Sequence, residues 1–152
     1  MEQIIKPARH SAMDFAKYII DFCTNTGNAI SDLKLQKVLY YLQLGFIANL
    51  HECAFYDDME AWPYGPVVRS VYNAYSSYGS TKICLLYEEA DVFSDTEKNI
   101  IHSILFNCIE KNAWDLVDMS HVKDGPWDRV YQNGKGYKNV IPLEYIKEYA
   151  LA

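Results

Sequence analysis

The sequence predicts a mainly α, compact single-domain fold of six or seven helices, with room for a small β-hairpin. Three observations favour this class. Apolar residues recur at helical spacing along most of the chain, the connecting stretches are short, and residues typical of helix ends flank the periodic segments. With 152 residues, half of them hydrophobic, one core can form without disulfides or a structural metal. We therefore expect an N-terminal extension over residues 1–10 and one domain over residues 11–152.

Two helices are predicted in the first third of the chain. Ser11 and Asp14 have the spacing of a capping box, and apolar residues then follow on one stripe until Gly27. A second and stronger pattern opens at Ser31 and runs through DLKLQKVLYYLQLGFIANL, where apolar residues have the spacing of a buried helical face. Tyrosine and phenylalanine widen that face, so we expect this helix to be central.

The middle of the chain is less regular. The run AFYDDMEAW contains aromatic residues without a helical stripe, which favours one or two brief strands. In YGPVVRSVYNAYSSYG we place Pro66 at the first helical position, where its missing N–H is not needed, and Gly79 at the end of that helix. Residues 80–93 are predicted to form a surface segment with one short strand.

Further helices are expected in the last third. Ser94 and Glu97 form a second capping box before another apolar stripe. Two shorter helices follow in AWDLVDMS and GPWDRVYQ, the latter with Pro126 at its start, before the glycines of NGKGYKN interrupt the pattern. The last helix is predicted in IPLEYIKEYAL, with Pro142 as its first residue and with Leu143, Ile146 and either Tyr149 or Ala150 facing inward.

Charge and cysteine usage exclude several classes of protein. A net charge of −6 argues against direct binding to nucleic-acid phosphates, which needs cationic side chains. No apolar stretch approaches the length of a membrane helix, and the first residues lack the apolar run of a signal peptide, so we expect a cytoplasmic protein without a membrane partner. The cysteines have neither zinc-site nor redox-motif spacing and are predicted to be reduced and buried: Cys23, Cys53, Cys84 and Cys108.

Acidic residues concentrate in the middle of the chain. Residues 52–97 hold nine acidic and two basic side chains, a balance of −7, while the rest of the chain sums to +1. Such a segment would steer a cationic partner toward it and repel polyanions. A solvated surface that only keeps the domain soluble explains the same pattern.

No catalytic or metal-binding constellation is evident. His51, Glu52 and Cys53 are adjacent, but the order of the zinc deaminase motif is wrong and no P-C-x-x-C follows. G-x-S-x-G, G-x-G-x-x-G and the Walker A sequence are all missing. The four histidines are scattered and are expected at the surface or in helix caps. We predict no catalytic residue, no metal and no cofactor.

Tyrosine is the most unusual component, with 13 residues beside 6 phenylalanines and 3 tryptophans. Tyrosine and tryptophan serve both in cores and as anchors of protein interfaces, because each joins a large apolar body to a polar tip. Thirteen exceed what a domain of this size readily buries. We therefore expect several of the following at a contact surface: Tyr56, Tyr64, Tyr75, Tyr78 and Tyr87.

Four blocks occur in a fixed order: KLQKVLYYLQL, AWPYGPVVRSVYNAY, SHVKDGPWDRVY and IPLEYIKEY. Through them, residues 11–150 resemble the Panacea or SocA-like antitoxin domain, which is often encoded in phages, prophages and mobile elements. The blocks also suit a scaffold, since glycines can turn the chain before helix-starting prolines and Trp62 and Trp127 can wedge between elements. The motif residues expected to fix the fold are Leu35, Gln36, Lys37, Tyr40, Tyr41, Gly65, Pro66, Val67, Pro126, Trp127, Tyr131, Pro142 and Ile146.

The resemblance implies a non-catalytic antitoxin that neutralises its toxin by direct contact, the toxin being encoded by a neighbouring gene. Many members carry an additional N-terminal DNA-binding module, whereas here ten residues precede the first helix, so autoregulation by this chain alone is not expected. We place the contact with the partner at Trp62, Tyr64, Arg69, Tyr72 and Tyr75.

Two alternatives stay open. The chain could be a phage- or prophage-encoded adaptor, for example one that delivers its partner to a protease as some family members do, or an inhibitor of a host protein. Such a host partner would not be encoded by a neighbouring gene. It could also be an unassigned hydrolase or transferase, which would need a polar pocket with a titratable pair of shifted pKa.

Overall fold

The computed structural model describes residues 4–88 and 92–152, and its elements follow the predicted order. Within these residues, seven α-helices and one two-stranded antiparallel hairpin confirm a mainly α fold. The elements are α1 (Ala12–Asn25), α2 (Asp32–Leu50), β1 (Glu60–Trp62), β2 (Gly65–Val67), α3 (Arg69–Tyr75), α4 (Asp95–Ile109), α5 (Ala113–Ser120), α6 (Pro126–Tyr131) and α7 (Leu143–Leu151). Short 3₁₀ turns follow α3 and α6.

The predicted helix starts at Ser11, Ser31 and Ser94 are confirmed. Ser11 and Ser94 each accept a hydrogen bond from the third helical residue, whose own carboxylate, that of Asp14 or Glu97, accepts one back from the cap. These reciprocal bonds satisfy N–H groups that the first turn leaves without partners. In the described ranges, no helix combines the length and apolar character needed to span a bilayer.

Helix α2 runs through the centre of the molecule, as predicted. It contacts most of the other elements, including α1, α4, α5, α7 and the hairpin. Its apolar side chains Leu35, Leu39, Leu42 and Phe46 are fully buried in the larger of two hydrophobic clusters. Because α2 is surrounded on several sides, four of its polar residues are also buried: Asp32, Gln36, Lys37 and Gln43. Two of them bond the hairpin and the residue after it.

The position of Pro66 corrects the prediction. Pro66 lies in β2 opposite Ala61 of β1, and α3 begins three residues later at Arg69. Two side chains of α2 hold this stretch extended. The Lys37 ammonium donates to the Pro66 carbonyl at 2.7 Å, and the Val68 N–H donates to Gln36 Oε1 at 2.9 Å. These distant contacts outweigh the local preference of proline for a helix start.

Prolines near the C-terminus behave closer to expectation. Pro126 is the first residue of α6, as predicted. Pro142 caps α7 instead of opening it, so the helix starts one residue later than predicted, at Leu143. Ile146 is buried, as expected, in the smaller hydrophobic cluster with Trp127 and Ile141, and Ala150 packs against that cluster. Leu143 is exposed, so its expected inward position is wrong.

The segment before α1 is paired with the chain that follows α2. The Lys6 N–H donates to the His51 carbonyl at 2.8 Å, and the Cys53 N–H donates back to the Lys6 carbonyl at 3.0 Å. His10 ends this segment and is buried, with its Nε2 2.8 Å from a carboxylate oxygen of Glu97. The expectation of a surface or capping role is therefore wrong for His10.

Two predictions between α3 and α4 fail. In the described part of residues 80–93 there is a single β-bridge, Ile83 to Ile30, and no strand; residues 89–91 lie outside the described ranges. Cys84 is exposed, although the other three cysteines are buried as predicted. Burial raises the pKa of the Cys23 thiol to about 11 despite the opposing influence of Lys34.

Candidate functional site

Aromatic side chains surround the β-hairpin on its outer side. The half-buried Trp62 ring lies 4.8 Å from the Tyr72 ring and 6.0 Å from the Tyr137 ring, measured between centroids. The Lys138 ammonium lies 5.5 Å from the Trp62 ring centre and 5.2 Å from that of Tyr137. Three rings and one cation thus lie next to one another in a single cluster.

Arg69 is fixed beside these rings by Glu60. The guanidinium donates two hydrogen bonds of 2.9 Å to the two carboxylate oxygens, and the Trp62 indole N–H donates to the same carboxylate at 3.0 Å. Partial burial tends to raise the pKa of Glu60, but the bonds from Arg69 and Trp62 outweigh it and lower this pKa below its ordinary value. Glu60 therefore stays ionised and orients both neighbours.

A second aromatic pair lies at the hairpin loop. Tyr64 is 54% exposed and Trp114, in the first turn of α5, is 55% exposed. Their ring centroids are 5.1 Å apart at an interplanar angle of 88°, an edge-to-face contact. We call the following residues together the hairpin surface: Trp62, Tyr64, Arg69, Tyr72, Trp114, Tyr137 and Lys138.

The hairpin is held from below by a buried cation. Lys37 is fully buried, and burial lowers its pKa to about 7, although the Asp32 carboxylate favours the charged form. Burial likewise raises the pKa of Asp32 to about 6, opposed by a hydrogen bond from Gln36 and by Lys37. The Lys37 ammonium reaches a carbonyl of β2 and no solvent, so these groups position the hairpin.

A tryptophan holds the hairpin from a second side. The Trp127 indole N–H donates to the Trp62 carbonyl at 2.7 Å. Its ring stacks on His121 with centroids 3.7 Å apart and planes 5° from parallel. Burial, and then the charge of Lys37, lower the pKa of His121, which favours the neutral ring in this stack. The backbone beneath Trp62 is thus fixed from α2 and from α6.

The motif residues that the sequence assigns to the scaffold are mostly interior. Those classed as buried are Leu35, Gln36, Lys37, Tyr40, Gly65, Pro66, Val67, Pro126, Trp127 and Ile146, while Tyr41, Tyr131 and Pro142 are half-buried. A residue that fixes the fold has to be placed in this way. Their scaffold role is compatible with these positions and stays a prediction.

The structure brings together three of the five predicted contact residues, Trp62, Arg69 and Tyr72, and places Tyr64 beside Trp114 at the hairpin loop. Tyr75 is separate, because it is only 2% exposed and its hydroxyl lies 2.6 Å from that of Tyr87. Its expected position at a contact surface is therefore wrong. On the same helical face as Val71, Tyr75 is directed toward α1, so helical spacing gave a usable signal for its burial.

Sequence reasoning missed Trp114 and Tyr137. Trp114 could have been found, because Leu116 and Val117 occupy the buried stripe of α5 and leave the preceding tryptophan outside. Tyr137 follows the glycine-rich turn after α6, where no periodicity exists, and only the fold brings it to Trp62.

Three carboxylates of the acidic middle segment take part in separate local interactions. Glu97 is 3% exposed and lies against His10, Glu52 pairs with Arg9, and Glu60 pairs with Arg69. Glu89 and Asp91 lie outside the described residues. In the part of the chain that the structure describes, no group of three His, Cys, Asp or Glu side chains is close enough to hold a metal ion.

Comparisons with known proteins place this geometry in context. A family model described as "Antitoxin SocA-like, Panacea domain" matches residues 35–128, which include Lys37, both strands of the hairpin and Trp127. The curated protein "Antitoxin SocA" of Caulobacter vibrioides (strain NA1000 / CB15N) is 30% identical over 141 residues, covering 86% of this chain and 74% of that protein. No solved structure matches.

Proposed function

The chain belongs to the SocA-like antitoxin (Panacea domain) family, and from this premise we propose that it neutralises a protein toxin by direct binding through the hairpin surface. Membership supports an antitoxin role and a toxin as the general kind of partner. The finer proposal is that the toxin is encoded by a neighbouring gene. The observation that carries the proposal of direct binding is the set of exposed aromatic side chains around β1 and β2.

Exposed aromatic rings favour tight protein binding. Tyrosine and tryptophan are enriched among the few interface residues that supply most binding energy, because they bury a large area at low cost in side-chain entropy. Tyr64, Trp114 and Tyr137 are each about half exposed. Arg69, held in a plane by Glu60, adds a donor group of the kind that also anchors interfaces.

Rigidity of the hairpin supports the same proposal. A loop that orders on binding loses conformational freedom and therefore affinity. Here the β2 carbonyl at Pro66, the Val68 N–H and the Trp62 carbonyl are each bonded to a side chain of another element. The surface is thus formed before the partner arrives.

We further propose that neutralisation needs no chemical step. The most strongly perturbed titratable groups near the hairpin, Lys37 and Asp32, are buried and interact with the chain itself. Their placement suits a structural role. Four free cysteines suit a reducing compartment such as the cytoplasm, and we place the encounter with the toxin there.

Co-expression tests the proposal. The neighbouring gene is induced in a host with and without this chain, and colony counts are compared. We expect the gene alone to arrest growth and the chain to restore it. Tyr64→Ala and Tyr137→Ala should each weaken binding about 30-fold, the effect of losing roughly 2 kcal/mol at an interface anchor, and should reduce rescue.

Phe106→Ala is the matched control, since Phe106 is 53% exposed on α4, outside the hairpin surface. It should rescue as well as the wild type. Circular dichroism confirms that each variant folds. Neutralisation by direct binding is wrong if the product of the neighbouring gene is harmless alone, or if that product stays toxic while the folded chain is present.

A further inference from the structure

A cleft of about 170 Å³ lies between the N-terminal segment, the residues before β1 and the first turn of α7. Its floor is apolar and includes the buried side chains of Phe55, Met59, Ile141 and Ile146. Its rim consists of Pro7, Tyr56, Asp57, Asp58 and Leu143. Tyr56 is 68% exposed and Leu143 is 37% exposed, so the opening faces solvent.

Backbone hydrogen bonds hold the three walls in place. The Tyr56 N–H donates to the His10 carbonyl at 3.2 Å, and the Ile141 N–H donates to the Met59 carbonyl at 2.8 Å. On the inner side, Gln43 bonds the backbone of Ala54 and Phe55. The cleft is therefore formed in the free chain.

The volume indicates what the cleft can hold. Pockets for drug-sized ligands usually exceed about 300 Å³, whereas a cavity of about 150 Å³ is enough for a benzene ring. A space of about 170 Å³ with an apolar floor matches one aliphatic side chain.

The charge at the rim of the cleft favours a cationic residue next to that aliphatic side chain. Two aspartates line the cleft and no lysine or arginine does, among the described residues. Asp57 accepts hydrogen bonds from the Ala12 N–H and the Ser70 hydroxyl. Asp58 is exposed and has no hydrogen bond or ion pair within the described chain. Burial raises the pKa of the Cys53 thiol at the floor, against the charge of Lys147, which is not among the residues that line the cleft.

We propose that this cleft docks a segment of a protein partner that presents one aliphatic side chain next to a lysine or arginine. The aliphatic group fills the apolar floor, and the cation lies against Asp58. This site shares no residue with the hairpin surface. The proposal does not rest on the proposed function, because binding in the cleft does not depend on whether the partner is a toxin.

Capped tetrapeptides provide the probe. Acetyl-Gly-Lys-Leu-Gly-amide is titrated into the full chain labelled with ¹⁵N, and amide shifts are followed by NMR. We expect saturable shifts concentrated at Tyr56, Asp58 and Leu143. Peptides with Glu in place of Lys, or Ser in place of Leu, should bind more weakly, the former by about two- to fivefold, as expected for loss of one exposed ion pair.

Reversing the rim charge sharpens the test. Asp58→Lys should reverse the preference, so that the Glu-Leu peptide binds better than the Lys-Leu peptide. Asp118→Asn, which alters an exposed carboxylate on α5 outside the cleft, should leave both affinities unchanged. Equal binding of both peptides to the wild type, shifts located elsewhere, or dilution-dependent shifts of the same amides without peptide, which indicate a second copy as occupant, would each overturn the proposal.

Discussion

Lys37 is the residue whose surroundings differ most from those of its type. A lysine ammonium without solvent contact is unusual, and here its partners are a backbone carbonyl and the nearby Asp32. Loss of water lowers the lysine pKa to about 7, so the residue changes charge within the ordinary working range. The sequence showed Lys37 as part of a helical motif but gave no sign that it is interior.

The stability of the fold should depend on pH through Lys37. In the unfolded chain its pKa returns to 10.5, so between pH 7 and 10.5 the unfolded state holds a proton that the folded state lacks. Stability therefore rises with pH across this window, by at most about 1.4 kcal/mol per pH unit from this group. Urea unfolding of the wild type and of Lys37→Met measures this dependence. From pH 7 to 10, the free energy of unfolding of the wild type should rise relative to that of Lys37→Met.

Asp32 gives an opposite slope at lower pH. Its folded pKa of about 6 exceeds the unfolded value of 3.8, so its contribution to stability falls as pH rises from about 4 to 6.

Lys123→Met, on an exposed loop, is the control for Lys37→Met and should follow the wild-type profile. A constant difference between wild type and Lys37→Met over pH 7–10 would show that Lys37 does not titrate in the folded chain.

Gly65 is required by both conformation and space. Its φ of +108° lies outside the range that other residues adopt readily, and an added Cβ would lie 2.5 Å from Ser120 Oγ and 2.9 Å from Lys37 Cε. Gly65→Ala should destabilise the fold by about 2–5 kcal/mol, the sum of backbone strain and overpacking. Thermal unfolding checks this against Gly27→Ala, where φ is +74° but no atom lies within 4 Å.

The Gly27 variant should lose only about 1–2 kcal/mol, as expected for backbone strain alone. Equal losses at both glycines would mean that the contacts of Gly65 with Lys37 and Ser120 are unimportant.

At the scale of elements, local signals and distant contacts differ in what they reveal. The starts of α1, α2 and α4 were predictable, because a capping serine and its helix are neighbours in sequence. A small hairpin was expected, with brief strands in AFYDDMEAW, but its second strand was not, because Pro66 suits a helix start as well as a strand. The deciding bond comes from Lys37, 29 residues earlier, and no sequence pattern marks it.

Helix α2 also stabilises the chain that follows it, through Gln43. This buried amide accepts from the Ala54 N–H at 2.6 Å and donates to the Phe55 carbonyl at 3.1 Å. Gln43→Met keeps the volume but leaves both backbone groups without that partner, so we expect a loss of about 2–4 kcal/mol in urea unfolding. Asn49→Ala, which removes an exposed bond to Gly45, should change stability by less than about 0.5 kcal/mol. A small effect for Gln43→Met would show that other groups satisfy this backbone.

At the scale of the whole molecule, the fold separates scaffold from contact surface. The motif blocks lie along α2, the hairpin, α3, α6 and α7, where many of their side chains are interior. The exposed rings of Trp114 and Tyr137 lie outside the blocks, whereas Tyr64 lies within the second one. The mainly α class and the family could be predicted from periodicity and from the blocks. The composition of the surface could not, because Tyr137 and Trp114 meet the hairpin only after the chain has folded.

Charge shows the same limit of sequence reasoning. The balance of −7 over residues 52–97 suggested one acidic region, but folding pairs three of its nine carboxylates, those of Glu52, Glu60 and Glu97, with Arg9, Arg69 and His10. A net charge counted along the chain therefore says little about the surface that a partner meets.

The most direct measurement is calorimetric titration of the purified chain with the toxic product of the neighbouring gene. We predict saturable binding that Tyr64→Ala and Tyr137→Ala each weaken about 30-fold, while Phe106→Ala leaves it unchanged. Wild-type affinity in both hairpin-surface variants, or a loss confined to Phe106→Ala, would contradict binding through the hairpin surface.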